Sequence, residues 1–211
     1  YGFIEEYTMA RLYRDCGIDR IWEGTNEINR QIITGYIMKK ALMEELLIQD
    51  AIRESEKYMN NGKLETVSEI LLAESNVVET SKRLALFLLN EGICEFGQDL
   101  KHQQQIADIL ANIFIDIYVA ESTVLRAKKM LGNPTSPPSV ETVAKIFMAE
   151  MAQRMVQLAE TALKGIYNGD LSPLMHEILN AFRSRMYLPT NTIGLKREIA
   201  AYAYSKKSYP Y

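Results

Sequence analysis

The chain has 211 residues, 47% of them apolar, so it can bury a sizeable core and does not belong to the disordered class. Its formal net charge of −3, with acidic and basic residues interspersed, excludes a general nucleic-acid binder built on a basic face. Two cysteines, Cys16 and Cys94, and two histidines, His102 and His176, stand apart without ligand spacing, so no metal site is expected and both thiols are read as free, in a reducing compartment.

Taken in chain order, the first stretch of note is Arg11 to Glu27, where Arg11, Arg14, Asp15, Asp19, Arg20, Glu23 and Glu27 are mixed with Tyr13, Ile18, Ile21 and Trp22. Its composition predicts a charged loop leading into a helix, with Thr25 as N-cap and Asn26 and Glu27 in the first turn. A helical stripe follows: Ile28, Ile32 and Ile33, then Ile37, Ala41 and Leu42, then Leu46, Leu47 and Ile52, with Gly35 as its weak point. Asn60 to Glu65 reads as a stop and restart. A second helix is predicted from about Val67 to Asn90, burying Ile70, Leu71, Val77, Val78, Leu84 and Leu88, and two glycines in "NEGICEFGQD" suit a break after it. A third runs from about Lys101 to Leu131 on the stripe Ile106, Ile109, Leu110, Ile113, Phe114, Ile117 and Val124, and Gly132-Asn133-Pro134 stops it.

"NPTSPPS" is a connector, after which Ser139 is expected to cap a fourth helix carrying Val140, Val143, Phe147, Met151, Met155, Leu158 and Ala162. The methionines at this spacing read as core, because methionine fills irregular gaps well. Ser172-Pro173, cap then N1 proline, opens another helix to about Met186, and a last one after "YLPTNT" carries Leu195, Ile199 and Tyr202. No alternating β pattern intervenes. The fold class is therefore all-α, an antiparallel helical bundle with short connections. The longest apolar run, Leu84 to Leu89, is far short of the roughly 20 residues a membrane span needs. The charged start lacks the pattern of a signal peptide, and a first residue Tyr1 in place of Met is what a piece of a longer chain would show.

The segment around Glu23 admits two readings. A loop glutamate beside a helix N-terminus is simply attracted by free backbone N–H groups. The same geometry can serve chemistry: a helix N-terminus binds anions such as phosphate, Gly24 lets a ligand approach the backbone, and a carboxylate against Trp22 would be desolvated and become a stronger base.

A pattern over Tyr1 to Arg30 separates them. The Tyr1-Gly2-Phe3 opening, Glu6-Tyr7, Arg14-Asp15, and Glu23-Gly24-Thr25 followed by Ile28 and Arg30 resemble the C-terminal signature of flavin-dependent acyl-CoA dehydrogenases. The resemblance implies that Glu23 is the base removing the α-proton of an acyl-CoA thioester, with β-hydride passing to FAD to give a trans-2-enoyl-CoA. It implies that the Glu23 N–H helps hold the thioester carbonyl, that Gly24 lines the acyl site, and that Thr25, Asn26 and Glu27 form a turn contacting the FAD. Gly17, where relatives often carry arginine or lysine, and Trp22, in place of tyrosine or phenylalanine, depart from the pattern. An acyl-CoA oxidase would share the same base, and a non-catalytic helical interaction module would keep the signature as scaffold.

The length beyond the signature resembles the subgroup similar to very-long-chain acyl-CoA dehydrogenase, with an appended helical domain. This implies a division into 1–55, the end of the dehydrogenase body, and 56–211, the appended bundle. It further implies an electron-transfer flavoprotein as acceptor, a homo-oligomer, and a cytoplasmic or, in a eukaryote, mitochondrial-matrix location. By itself the segment is expected to be inactive, since the site is incomplete without the rest of the dehydrogenase. The basic, tyrosine-bearing end "YAYSKKSYPY" leaves membrane association as a further expectation, though two lysines there provide only about 1 kcal/mol each toward an anionic surface.

Overall fold

The computed structural model describes residues 1–206 apart from 49, 52 and 55–69. Among the described residues all regular structure is helical. The elements are α1 (Thr8–Ile18), α2 (Asn26–Leu42), α3 (Leu72–Phe96), a 3-10 turn (Gly97–His102), α4 (Gln104–Leu131), α5 (Ser139–Ile166), α6 (Pro173–Arg185) and α7 (Thr192–Lys206). The long helices α3, α4 and α5 pack on one another, α6 and α7 lie on α5, and α2 lies on α4. Short connections between these long helices make sequence neighbours antiparallel, as a bundle requires.

The core is where the apolar stripes meet. Leu84, Leu88 and Leu89 of α3, Leu110 and Ile113 of α4, and Met148, Met151, Met155 and Leu163 of α5 are fully buried. Ala111, Ala120, Ala159 and Ala162 are buried among them, and their small side chains allow the helix axes to approach. Phe87 and Phe182 meet at 6.1 Å between ring centres and tie α3 to α6. Around this core, Arg154 grips Asp116 with two hydrogen bonds of 2.9 and 2.8 Å, and Lys82 reaches Glu121 at 2.6 Å. The methionine stripe is thus core, as the spacing implied.

Several boundaries fall where the sequence placed them. Thr25 caps α2, its Oγ1 accepting from the Ile28 N–H at 3.3 Å, and Ser172 caps α6 in the same way through the Met175 N–H, with Pro173 at N1. Helix α4 stops at Gly132. Others differ for identifiable reasons. Arg11–Ile18, expected as part of a charged loop, belong to α1 (Thr8–Ile18), of which only Ala10 is buried among the described residues. Helix α2 ends at Leu42 and does not run on as one helix, because the chain turns at Met43 and Glu44, the latter at φ 58°.

Ile28, Ile32, Leu42 and Ile70, expected in buried stripes, are exposed. Gly92 does not break α3: it lies inside the helix, against the side chain of buried Leu100 in the 3-10 turn. The break comes at Gly97, where φ is +54°. Ser139 is not a cap either. The N-cap of α5 is Pro138, and the buried Ser139 hydroxyl has no hydrogen-bond partner. Ile52, the stop and restart at Asn60 to Glu65, the helix start at Val67, Lys207 onward and the 55/56 division lie outside the described residues. No described helix is long and apolar enough to cross a membrane.

Candidate functional site

The loop between α1 and α2 is closed by its own backbone. The N–H groups of Ile21 and Trp22 both return to the Ile18 carbonyl, at 2.9 and 3.1 Å, and the Asn26 N–H donates to the Arg20 carbonyl at 3.1 Å. This leaves Glu23 and Gly24 to reverse the chain, and both do so with positive φ, 56° and 89°. The glycine suits that conformation; the glutamate does not, since an L side chain in the left-handed region costs roughly 1–2 kcal/mol. Gly24 is also crowded. A Cβ there would sit 3.0 Å from the Asn29 Oδ1, and the Asn29 amide donates to the Gly24 carbonyl at 2.9 Å. Residues held in such sparsely populated conformations cluster at functional sites.

The first turn of α2 is satisfied internally. The Asn26 N–H is taken by Arg20, and Ile28 donates to Thr25. The Glu27 carboxyl is held below the usual carboxylate range, first by its own backbone N–H, then by the Thr25 hydroxyl, with Arg30 adding its charge. Glu27 therefore sets its charge against the free N–H groups at the start of α2. Gly24, Asn26 and Glu27 are exposed and Thr25 is half-buried, so all four are accessible at this turn. The polar groups of this turn fit a polar contact to FAD.

The desolvated carboxylate expected from Trp22 is not formed by this chain either. Glu23 is exposed and Trp22 is 58% exposed, so burial of the pair has to come from further protein or from a ligand. The structure places Glu23, Gly24, Thr25, Asn26 and Glu27 together on one loop and helix start.

The sequence reading did not find the groups that hold this loop's helix in place. Arg30 Nε donates to Asn112 Oδ1 at 2.8 Å and lies 3.5 Å from Asp108 Oδ1, while the Asn112 amide donates to Asp108 Oδ2 at 3.0 Å. Gln31 donates to the Gln104 carbonyl at 2.9 Å, and buried Thr34 donates to the Ala107 carbonyl at 2.6 Å. The only sequence signal for this tie is Asp108 and Asn112, four apart on the polar side of α4.

Comparison with known proteins agrees with this geometry. Two family models, each described as "Acyl-CoA dehydrogenase, C-terminal domain", match the chain, one over residues 1–38 and the other over residues 80–181. The chain belongs to the acyl-CoA dehydrogenase family. It is 34% identical to a probable acyl-CoA dehydrogenase of Bacillus subtilis over 99% of its length and 35% of that protein's. A solved structure of an acyl-CoA dehydrogenase complexed with FAD from Bacillus anthracis superposes with a TM-score of 0.85 at 31% identity, covering 98% of this chain and 35% of that one. Shorter likeness, 45% over 40 residues, covering 19% of this chain and 11% of the relative, links it to the caffeyl-CoA reductase-Etf complex subunit CarC of Acetobacterium woodii. The chain thus spans about a third of the length of the full-length relatives it matches throughout.

Proposed function

We propose that the chain is the C-terminal part of an FAD-dependent acyl-CoA dehydrogenase acting in fatty-acid β-oxidation, with Glu23 as its catalytic base. The observation that carries this is Glu23 itself. It is a glutamate held at φ 56° beside Gly24, immediately before a capped helix, within the Tyr1-to-Arg30 pattern of the family. Glu23 removes the α-proton of a straight-chain acyl-CoA thioester, and its N–H and the Gly24 backbone face the thioester carbonyl and acyl chain. Bound FAD supplies the hydride acceptor, and Asn26 offers it a polar contact.

Residues 1–47 leave Phe3, Tyr13, Ile32 and Leu47 exposed by 93, 80, 61 and 70%. Such a surface supports a reading in which this part is completed by the rest of a dehydrogenase and by a second subunit, and in which the segment alone is inactive. Residues 56–211 are then the appended helical domain, similar to the very-long-chain subgroup, in a cytoplasmic enzyme that passes electrons to an electron-transfer flavoprotein. The name of the CarC relative, an Etf-complex subunit, is consistent with that acceptor. The test is the flavin spectrum of the full-length protein mixed anaerobically with a straight-chain acyl-CoA. Bleaching in wild type and none in Glu23→Gln supports the base. Bleaching that survives the substitution, or a protein that holds no flavin, reduces the signature to scaffold. Peroxide release in air would favour an oxidase.

A further inference from the structure

We propose that Arg30 of α2, held by Asn112 and Asp108 of α4, is a positioning residue that aims the Glu23 loop, so that the helical bundle sets the alignment of the base. The inference rests on the reading of Glu23 as base. Its ground is how α2 is seated. Only Thr34 and Met38 of α2 are buried, and Ile37 and Ala41 beside Met38 pack on the core, while Ile28 and Ile32 nearer the loop are exposed, so the apolar seat lies in the C-terminal half of the helix and does not reach its loop end. The half nearer the loop is held by polar contacts: Thr34 to the Ala107 carbonyl, Gln31 to the Gln104 carbonyl, and Arg30 to Asn112 and Asp108. Of these, the Arg30 tie is the nearest in sequence to the Thr25 cap that ends the loop.

Geometry gives the lever. Thr25 and Thr34 are about 14 Å apart along the helix axis, at 1.5 Å per residue. A tilt of about 5° around the Thr34 anchor then displaces the cap, and the Glu23 backbone with it, by about 1 Å. A misplacement of that size costs on the order of 10²-fold in rate. Arg30 is half-buried and its Nε meets both partners, which in turn bond to each other; a lysine keeps the charge but not the rigid Nε–H donor. Ion pairs at this exposure contribute little to stability. Loss of the tie should therefore appear in rate more than in folding.

The test uses the full-length, FAD-bound protein, rapidly mixed with a straight-chain acyl-CoA. For Arg30→Ala and Asn112→Ala the bleaching rate at saturating acyl-CoA is expected to fall about 10- to 100-fold, with KM within about 3-fold of wild type. The double variant is expected to be no slower than the worse single one, because both remove the same tie. Arg30→Lys should recover part of the rate. Arg154→Ala, which breaks the grip on Asp116 elsewhere in the bundle, should keep the wild-type rate. Wild-type rates in Arg30→Ala and Asn112→Ala beside an inactive Glu23→Gln overturn this proposal alone. So does an equal fall in Arg154→Ala, which would mark general loosening. Bleaching that survives Glu23→Gln overturns the base reading, and this proposal with it. If Arg30→Ala fails to fold, Arg30→Lys and Asn112→Ala carry the same comparison.

Discussion

Replacing Glu23 by glycine separates what the side chain does from what the backbone bears. At φ 56° the glutamate carries a left-handed strain of roughly 1–2 kcal/mol. Glycine removes that strain but gains freedom in the unfolded chain, which returns about 0.5–1 kcal/mol. The Glu23 side chain is exposed, and among the described residues no side-chain hydrogen bond holds it. Glu23→Gly is therefore expected to leave stability unchanged or raise it by up to about 1 kcal/mol, while Glu23→Gln, which keeps the Cβ, leaves it within a few tenths. Both variants lose the base, and general-base catalysis is worth roughly 10²- to 10⁴-fold. The assays are the urea midpoint and the rate of flavin bleaching by acyl-CoA, measured on the full-length protein. A Glu23→Gly variant less stable than Glu23→Gln would refute the strain argument. A preserved bleaching rate in either would refute the catalytic one.

Three further outcomes follow from the packing and capping. Thr25→Ala removes the side-chain acceptor of the Ile28 N–H and should cost about 1 kcal/mol at the start of α2, read as faster amide exchange at Ile28. Gly92→Ala should destabilise the bundle despite alanine's better helix propensity: its Cβ would meet the Leu100 methyls at 3.1 and 3.2 Å, and Leu100 is fully buried. Overpacking of about 1–3 kcal/mol outweighs a propensity gain of about 1 kcal/mol, and a raised urea midpoint would show that Leu100 can yield. Burial first, then its hydrogen bond to Glu91 and the negative charges nearby, raise the Tyr167 hydroxyl far above the ordinary 10.0. A group raised in the folded state stabilises fully below its unfolded pKa and loses that contribution as pH rises through the folded value. The urea midpoint should thus fall above about pH 10, and less steeply in Tyr167→Phe.

The sequence by itself determined the helical class and most of the bundle. The stripes of α4 and α5 repeat every three or four residues over many turns, and Ser172-Pro173 and Gly132-Asn133-Pro134 are local signals whose meaning depends on neighbouring backbone alone. Thr25 as cap was legible for the same reason. Tertiary structure decided the rest. Gly92 looks like a helix break in sequence, but it is the position where Leu100 needs the space of a missing Cβ, and only the folded chain brings residues 92 and 100 together. Ser139 has the chemistry of a cap, yet the helix starts one residue earlier in effect, with Pro138 at the boundary. Among the described residues only Ala10 of α1 is buried and its large apolar side chains stay exposed, so its charges dominated the reading. At the site, the family resemblance over Tyr1 to Arg30 singled out Glu23 to Glu27. The left-handed turn at Glu23, the internal satisfaction of the α2 first turn, and the Arg30 tie to α4 exist only once residues far apart in sequence share one surface.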